Sequence, residues 1–137
     1  MLDSSVLVSA FLTPKGVCAD VLGAGERGAF LPCLSAEIVA GTARVLLRGP
    51  KLQARYGFDR AEVEAFGDRL VAAARMVADL PAGRFVPGDP KDDMVVATAL
   101  AAGAGYLATG DRRHLLALGE HEEGVRILGP RAFLDLL

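Results

Sequence analysis

The chain alternates short apolar runs with longer segments of helical period. Met1 and Leu2 end a first strand at Asp3, and two serines separate that acid from Val6-Leu7-Val8, a run whose composition is strand-like. Residues 17–22 read as a helix, entered after Pro14 and Gly16 and closed by the glycines between 23 and 28. Residues 29–34 read as a short buried strand. Ser35 then suits a helix N-cap, because its hydroxyl can accept from a free amide of the first turn. Ile38, Thr42, Val45 and Leu46 follow on one face until Gly49-Pro50 interrupts. The clearest helix spans residues 59–78, with Asp59 as its cap and Val63, Phe66, Leu70, Ala73 and Val77 at helical spacing. Pro81, Gly83, Pro87 and Gly88-Asp89-Pro90 mark a loop around Arg84-Phe85-Val86. Residues 91–102 are helical, and residues 106–109 form a strand ended by Gly110-Asp111. A short helix, a strand at 125–128 and a terminal helix from Pro130 complete the chain. Strands alternating with helices imply an α/β fold with a parallel sheet covered on both faces. In such sheets, sites lie at the carboxyl ends of the strands.

Composition narrows this picture. The 137 residues suit one domain over residues 1–137. Apolar residues make up 52% and charged ones 23%, the balance of a globular chain and not of a disordered one. A formal net charge of -2 excludes a broad basic field for tight nonspecific DNA binding and leaves room for a local basic patch. Cys18 and Cys33 have no CxxC or Cys/His neighbour and read as reduced core residues. No apolar run reaches membrane-spanning length and no signal peptide precedes the first strand, so no membrane partner and a cytoplasmic location are expected.

Three acids fall where strands end or a helix begins. Asp3 closes the first strand, Asp92 starts the helix in GDPKDDMVVATAL, and Asp111 lies just past residues 106–109. A carboxylate on a buried strand edge is costly unless a lysine, a backbone amide or a metal ion compensates it. Gathered on one sheet rim, such acids suit Mg²⁺ or Mn²⁺, which prefer carboxylate oxygens and keep room for water and phosphate. Without a cation they would repel one another. A metal site for phosphodiester cleavage is one reading. The other is local: Asp89, Asp92 and Asp93 cap a helix and favour its positive end, and Asp111 is a turn residue. Arg44, Arg48, Lys51 and Arg55 recur at roughly helical spacing, and Arg112 and Arg113 follow Asp111. Either group can hold RNA phosphates or form a solvated face. His114 and His121 read as surface residues.

The order of these segments resembles the PIN-domain family, and within it the VapC-like toxins of toxin–antitoxin systems. The resemblance is carried by LDSSVLVSAFLTPKG, LSAEIVAGTARVLLRGPKLQARYG, DPKDDMVVATALAAGAGYLATGD and VRILGPRAFLDLL. It implies a three-layer α/β/α sandwich with a central parallel sheet and a Mg²⁺- or Mn²⁺-dependent endoribonuclease. Asp3, Asp92 and Asp111 would be its catalytic metal ligands. The hydroxyls of Ser4, Ser5 and Thr109 would orient ligands or water, with Ser5, Thr109, Arg112 and Arg113 on the substrate side. It implies that residues 6–12 are helical after all, and that more apolar residues precede Asp3 in relatives than Met1 and Leu2. Its partners would be RNA, a small antitoxin and a second copy of the chain. Three positions depart from the family pattern: Ser5 replaces an asparagine, Gly41 replaces the second acid, and Gly105 replaces an aspartate. Glu37, one helical turn before Gly41, either substitutes in part or simply favours the helix dipole. The alternative function is a catalytically weakened module that binds RNA or a partner protein without cleaving. A receiver-like or phosphatase-like phosphoryl enzyme would need a catalytic lysine or nucleophilic aspartate in another order.

Overall fold

The computed structural model describes residues 1–81, 90–111, 115–116 and 124–137. The expected loop around Arg84, most of the short helix after Asp111, and Arg112, Arg113, His114 and His121 lie outside the described residues.

The first strand is reduced to one bridge. Leu2 pairs in parallel with Ala108, the Asp3 amide donating to the Ala108 carbonyl at 2.9 Å and the Ala108 amide to the Met1 carbonyl at 3.0 Å. Asp3 then ends it, because its carboxylate accepts from the Ser4 amide at 2.7 Å and caps α1 (Ser4–Leu12). The valines at 6 and 8 are therefore helical, as the resemblance implies and their composition does not. Val6, Leu7 and Ala10 are buried. α2 (Val17–Glu26) runs on through Gly23 and Gly25, past the expected end. Gly25 is where it packs most tightly: a Cβ there would stand 2.7 Å from Pro32 Cγ and 2.9 Å from Phe30 Cζ. The Phe30 ring cannot simply retreat, since it packs edge-on against Phe133 at 4.9 Å. Gly25→Ala is expected to lower unfolding free energy by about 1–3 kcal/mol in urea titrations, although alanine is the better helix former.

β1 (Cys33–Ser35) is shorter than the apolar run that announces it. Ser35 closes it and caps α3 (Ala36–Leu47), accepting from the Ile38 amide at 3.3 Å. Ile38, Thr42 and Leu46 form the buried stripe, with Val45 half-buried beside it. α4 (Pro50–Tyr56) starts on proline and stops at Gly57, whose φ of 68° is the left-handed conformation that glycine adopts freely. Asp59 caps α5 (Arg60–Ala73) as expected, its carboxylate accepting from the Glu62 amide at 2.8 Å. The helix expected to reach residue 78 stops at 73. Ala74 turns extended, and Arg75–Val77 become β2, parallel to β1 in the register Cys33–Arg75, Leu34–Met76 and Ser35–Val77. Continuing the helix would leave the β1 edge groups without these partners, so the match of Val77 to the helical period was incidental.

α6 (Pro90–Ala101), β3 (Tyr106–Ala108), β4 (Arg126–Leu128) and α7 (Pro130–Asp135) follow, with β3 and β4 parallel and Leu107 opposite Ile127. Among the described residues the strands thus form two parallel pairs, with Leu2 beside β3. Met1, Cys33, Arg75 and Tyr106, the entry ends of the first strand, β1, β2 and β3, line one cavity of about 410 Å³. The strands therefore start at one pole, and their carboxyl ends, with Asp3, Ser35 and Thr109, face the other. A shared core joins both pairs: Leu2, Leu7, Leu34, Ile38, Leu107 and Ile127 are buried in it. A smaller cluster of Leu46, Phe58 and Val63 packs under α3 with Phe11, whose ring meets Phe58 edge-on at 4.9 Å. Cys18 and Cys33 are free thiols, and burial pushes the Cys18 thiol above its ordinary value. Among the described residues no single helix is long and apolar enough to cross a membrane.

Candidate active site

Asp3 is 4% exposed at the carboxyl end of the first strand. Oδ1 accepts from the Ser4 amide at 2.7 Å and, more weakly, from the Ser4 hydroxyl at 3.4 Å. Oδ2 accepts from two hydroxyls, Ser5 Oγ at 3.0 Å and Thr109 Oγ1 at 2.7 Å. Each of those hydroxyls is itself an acceptor for the turn that follows β3. The Gly110 amide donates to Ser5 Oγ at 3.0 Å, and the Asp111 amide donates to Thr109 Oγ1 at 3.0 Å.

Proton accounting fixes the direction of this network. A hydroxyl has one proton, and an ionised carboxylate only accepts. Ser5 and Thr109 each spend that proton on Asp3 and receive an amide on a lone pair. Their 3.5 Å approach to one another is then a close contact between two committed hydroxyls. Two consequences follow. Asp3 is compensated by four donors, which answers how a carboxylate survives on a buried edge. The turn carrying Asp111 is also tied to the first turn of α1, although over a hundred residues separate them in sequence.

Asp92 is buried at the head of α6. It shares a helical stripe with Val95, Val96 and Ala99, all in the core, which is why a first-turn acid is drawn inward. Asp93 is only half-buried. α6 is fixed to the start of α3 through the Ser35 and Thr98 hydroxyls, 3.0 Å apart and both buried. Thr98 also donates to its own helix at the Met94 carbonyl, 2.9 Å away. Sequence reasoning passed over Thr98, because a lone threonine in MVVATALA reads as a β-branched core residue. The Gly110 amide was also missed, since a backbone donor leaves no trace in residue identity.

Glu37 is exposed in the first turn of α3. Gly41, one turn later, is half-buried, and a Cβ built on it meets nothing within 4 Å. A side chain there has space to enter. The described contacts thus join Asp3, Ser4, Ser5, Thr109 and the Asp111 backbone. They do not assemble Asp3, Asp92, Asp111 and Glu37 into a ready cage: among the described residues no three acids, histidines or cysteines are grouped closely enough to hold a metal ion.

The donor chemistry still fits a hard cation of one kind. Mg²⁺ and Mn²⁺ are often held by one or two carboxylates, with water and substrate phosphate completing the shell. Asp3 supplies carboxylate oxygens, and the Thr109 hydroxyl ties the backbone of Asp111 beside it, so one or two acids here would leave most of the shell to water and phosphate. A stripped cation needing an all-protein shell does not fit this donor set. The family model that matches the chain is that of the PIN domain, over residues 1–113, a span that includes Asp3, Asp92 and Asp111. No curated protein matches the chain.

Proposed function

The chain belongs to the PIN domain family, whose members are generally nucleases that use divalent metals, and on that premise we propose that it is a metal-dependent endoribonuclease, the toxin of a toxin–antitoxin pair. The observation that carries this reading is the shared Thr109 hydroxyl. It donates to the Asp3 carboxylate and accepts from the Asp111 backbone amide, so the backbone that carries Asp111 is tied to Asp3 through one atom. The reading also takes the two parallel strand pairs as parts of one sheet in a three-layer sandwich.

In this mechanism Asp3 and Asp111 would hold Mg²⁺ or Mn²⁺, with Asp92 as the third acid. When bound, the cation supplies Lewis acidity toward the scissile phosphodiester and offsets charge on its oxygens. Ser5 and Thr109 are positioning residues: their protons keep Oδ2 of Asp3 fixed. Arg112 and Arg113, next in sequence to Asp111, bind flanking phosphates. The proposal takes the cytoplasm as the site of action. A small antitoxin and a second copy of the chain are the protein partners that complete the proposal.

A second reading is favoured by one observation, the open space at Gly41 where the family pattern has an acid. On that reading the chain binds RNA or a partner and does not cleave. Calorimetric titration of Mn²⁺ into metal-free protein separates the two. The nuclease reading expects saturable binding in the wild type. It expects Gly41→Glu to tighten that binding roughly ten- to a hundredfold, the range over which supporting groups alone move metal affinity. The same substitution should raise stability by about 0.5 kcal/mol, because it removes glycine from a helix interior. No Mn²⁺ binding by the folded wild type would favour the non-cleaving module.

A further inference from the structure

We propose that the exposed face made by the end of α3 and by α4 is the track for single-stranded RNA, with phosphates on Arg44, Arg48, Lys51 and Arg55 and a base stacked on Tyr56. The choice of RNA rests on the nuclease reading above. The charge and exposure of these residues do not depend on it.

Residues 38–61 contain five cations, those four and Arg60, and a single acid, Asp59. That is a net charge of four positive in a chain whose total is -2. All five cations are exposed. Among the described residues none of them is in an ion pair; the pair that does form is Arg69 with Glu26, outside this segment. Asp59 has its carboxylate turned onto the Glu62 amide as a helix cap. The acids that bound the segment are Glu37, in the first turn of α3, and Glu62 and Glu64, on α5.

A solvated helix face does not account for this arrangement. Arg44 and Arg55 sit in the last turns of α3 and α4, where the helix dipole favours a cation. Lys51 lies in the first turn of α4, and Arg60 is the first residue of α5, where the dipole opposes a cation. Arg44 with Arg48, and Lys51 with Arg55, are like charges four residues apart, a spacing that repels on a helix. α4 has no fully buried residue, so packing does not dictate these choices either. An anionic occupant removes the repulsion at both pairs. Tyr56 indicates what kind. Its side chain is exposed at the end of α4, and the Arg55 guanidinium lies 5.4 Å from its ring centroid. An exposed aromatic beside cations is the combination that binds single-stranded nucleic acid, the ring taking a base and the cations the backbone.

The test is fluorescence anisotropy of a labelled oligouridine titrated with the protein in EDTA, over a series of salt concentrations. Wild type should bind, with affinity falling steeply as salt rises. The variant Arg48→Ala/Lys51→Ala/Arg55→Ala should flatten the log–log salt slope by about 2, three phosphate contacts at about 0.7 each for a single strand. Tyr56→Ala should weaken binding about tenfold with the slope unchanged. These side chains are exposed, so circular dichroism of both variants should match wild type. The proposal is overturned if wild type does not bind oligouridine, or if the triple variant keeps the wild-type slope. It is also overturned if polyglutamate binds this face and oligouridine does not, which would assign it to an acidic protein. The nuclease reading fails separately: binding that responds to both variants, with no Mn²⁺-dependent cleavage, keeps the track and removes the nuclease.

Discussion

Asp3→Ala should abolish RNA cleavage and lower unfolding free energy by roughly 2–4 kcal/mol at neutral pH. Two losses add. The cap of α1 goes, at about 0.5–2 kcal/mol, because the Ser4 amide loses its acceptor. The buried Thr109 hydroxyl loses its acceptor, at about 1–3 kcal/mol for an unmade buried hydrogen bond, and the half-buried Ser5 hydroxyl loses the same acceptor at smaller cost. Asp3→Asn should cost less stability, because its amide oxygen can keep the cap. Its NH₂ group, however, cannot accept from the two hydroxyls. Urea unfolding of wild type, Asp3→Asn and Asp3→Ala should therefore rank in that order. Cleavage should be absent from both variants, since neither has the carboxylate charge. If Asp3→Ala proved as stable as wild type, the network of Ser5, Thr109 and Asp3 would not exist in solution.

Leu107→Ala should be among the most damaging changes away from the acids, at about 2–5 kcal/mol. Leu107 is fully buried at the centre of β3, opposite Ile127 and in the cluster shared with Leu2 and Leu34. Nothing polar depends on its side chain. The contact that holds Asp3 to β3 uses the backbone of Ala108. At a temperature where the variant remains folded, its Mn²⁺ affinity should match wild type while its melting temperature falls well below. A large loss of metal affinity in that folded variant would mean that the site is positioned by the core, and not by its own hydroxyls.

Much of the chain was legible where a local signal and its structural effect are the same event. Ser35 and Asp59 were readable as caps because a cap is a residue bonding its own helix. α6 and β3 were readable because their patterns are long or sharply ended. Elsewhere a local signal lost to a distant partner. Val6-Leu7-Val8 is strand-like, yet Asp3 and the serines start a helix ahead of it. Residues 75–77 fit the period of α5, yet pair with β1, whose position in space no window of sequence contains. The site divides the same way. Asp3, Asp92 and Asp111 were legible as acids at strand ends and a helix start. The Thr109 hydroxyl was named only through the family resemblance, and its particular partners, Asp3 and the Asp111 amide, were not legible. That Thr109 faces Asp3 is a pairing across 106 residues. Ser35 and Thr98 meet across 63. Only closure of the sheet and docking of α6 create such pairs.

The central claim is cleavage that needs both a divalent metal and Asp3. The direct measurement is degradation of a labelled RNA oligomer by purified wild type and Asp3→Asn, each in Mn²⁺ and in EDTA. Cleavage only by wild type, and only in Mn²⁺, is the predicted result. No cleavage by folded wild type in Mn²⁺, or equal cleavage by Asp3→Asn, would contradict it.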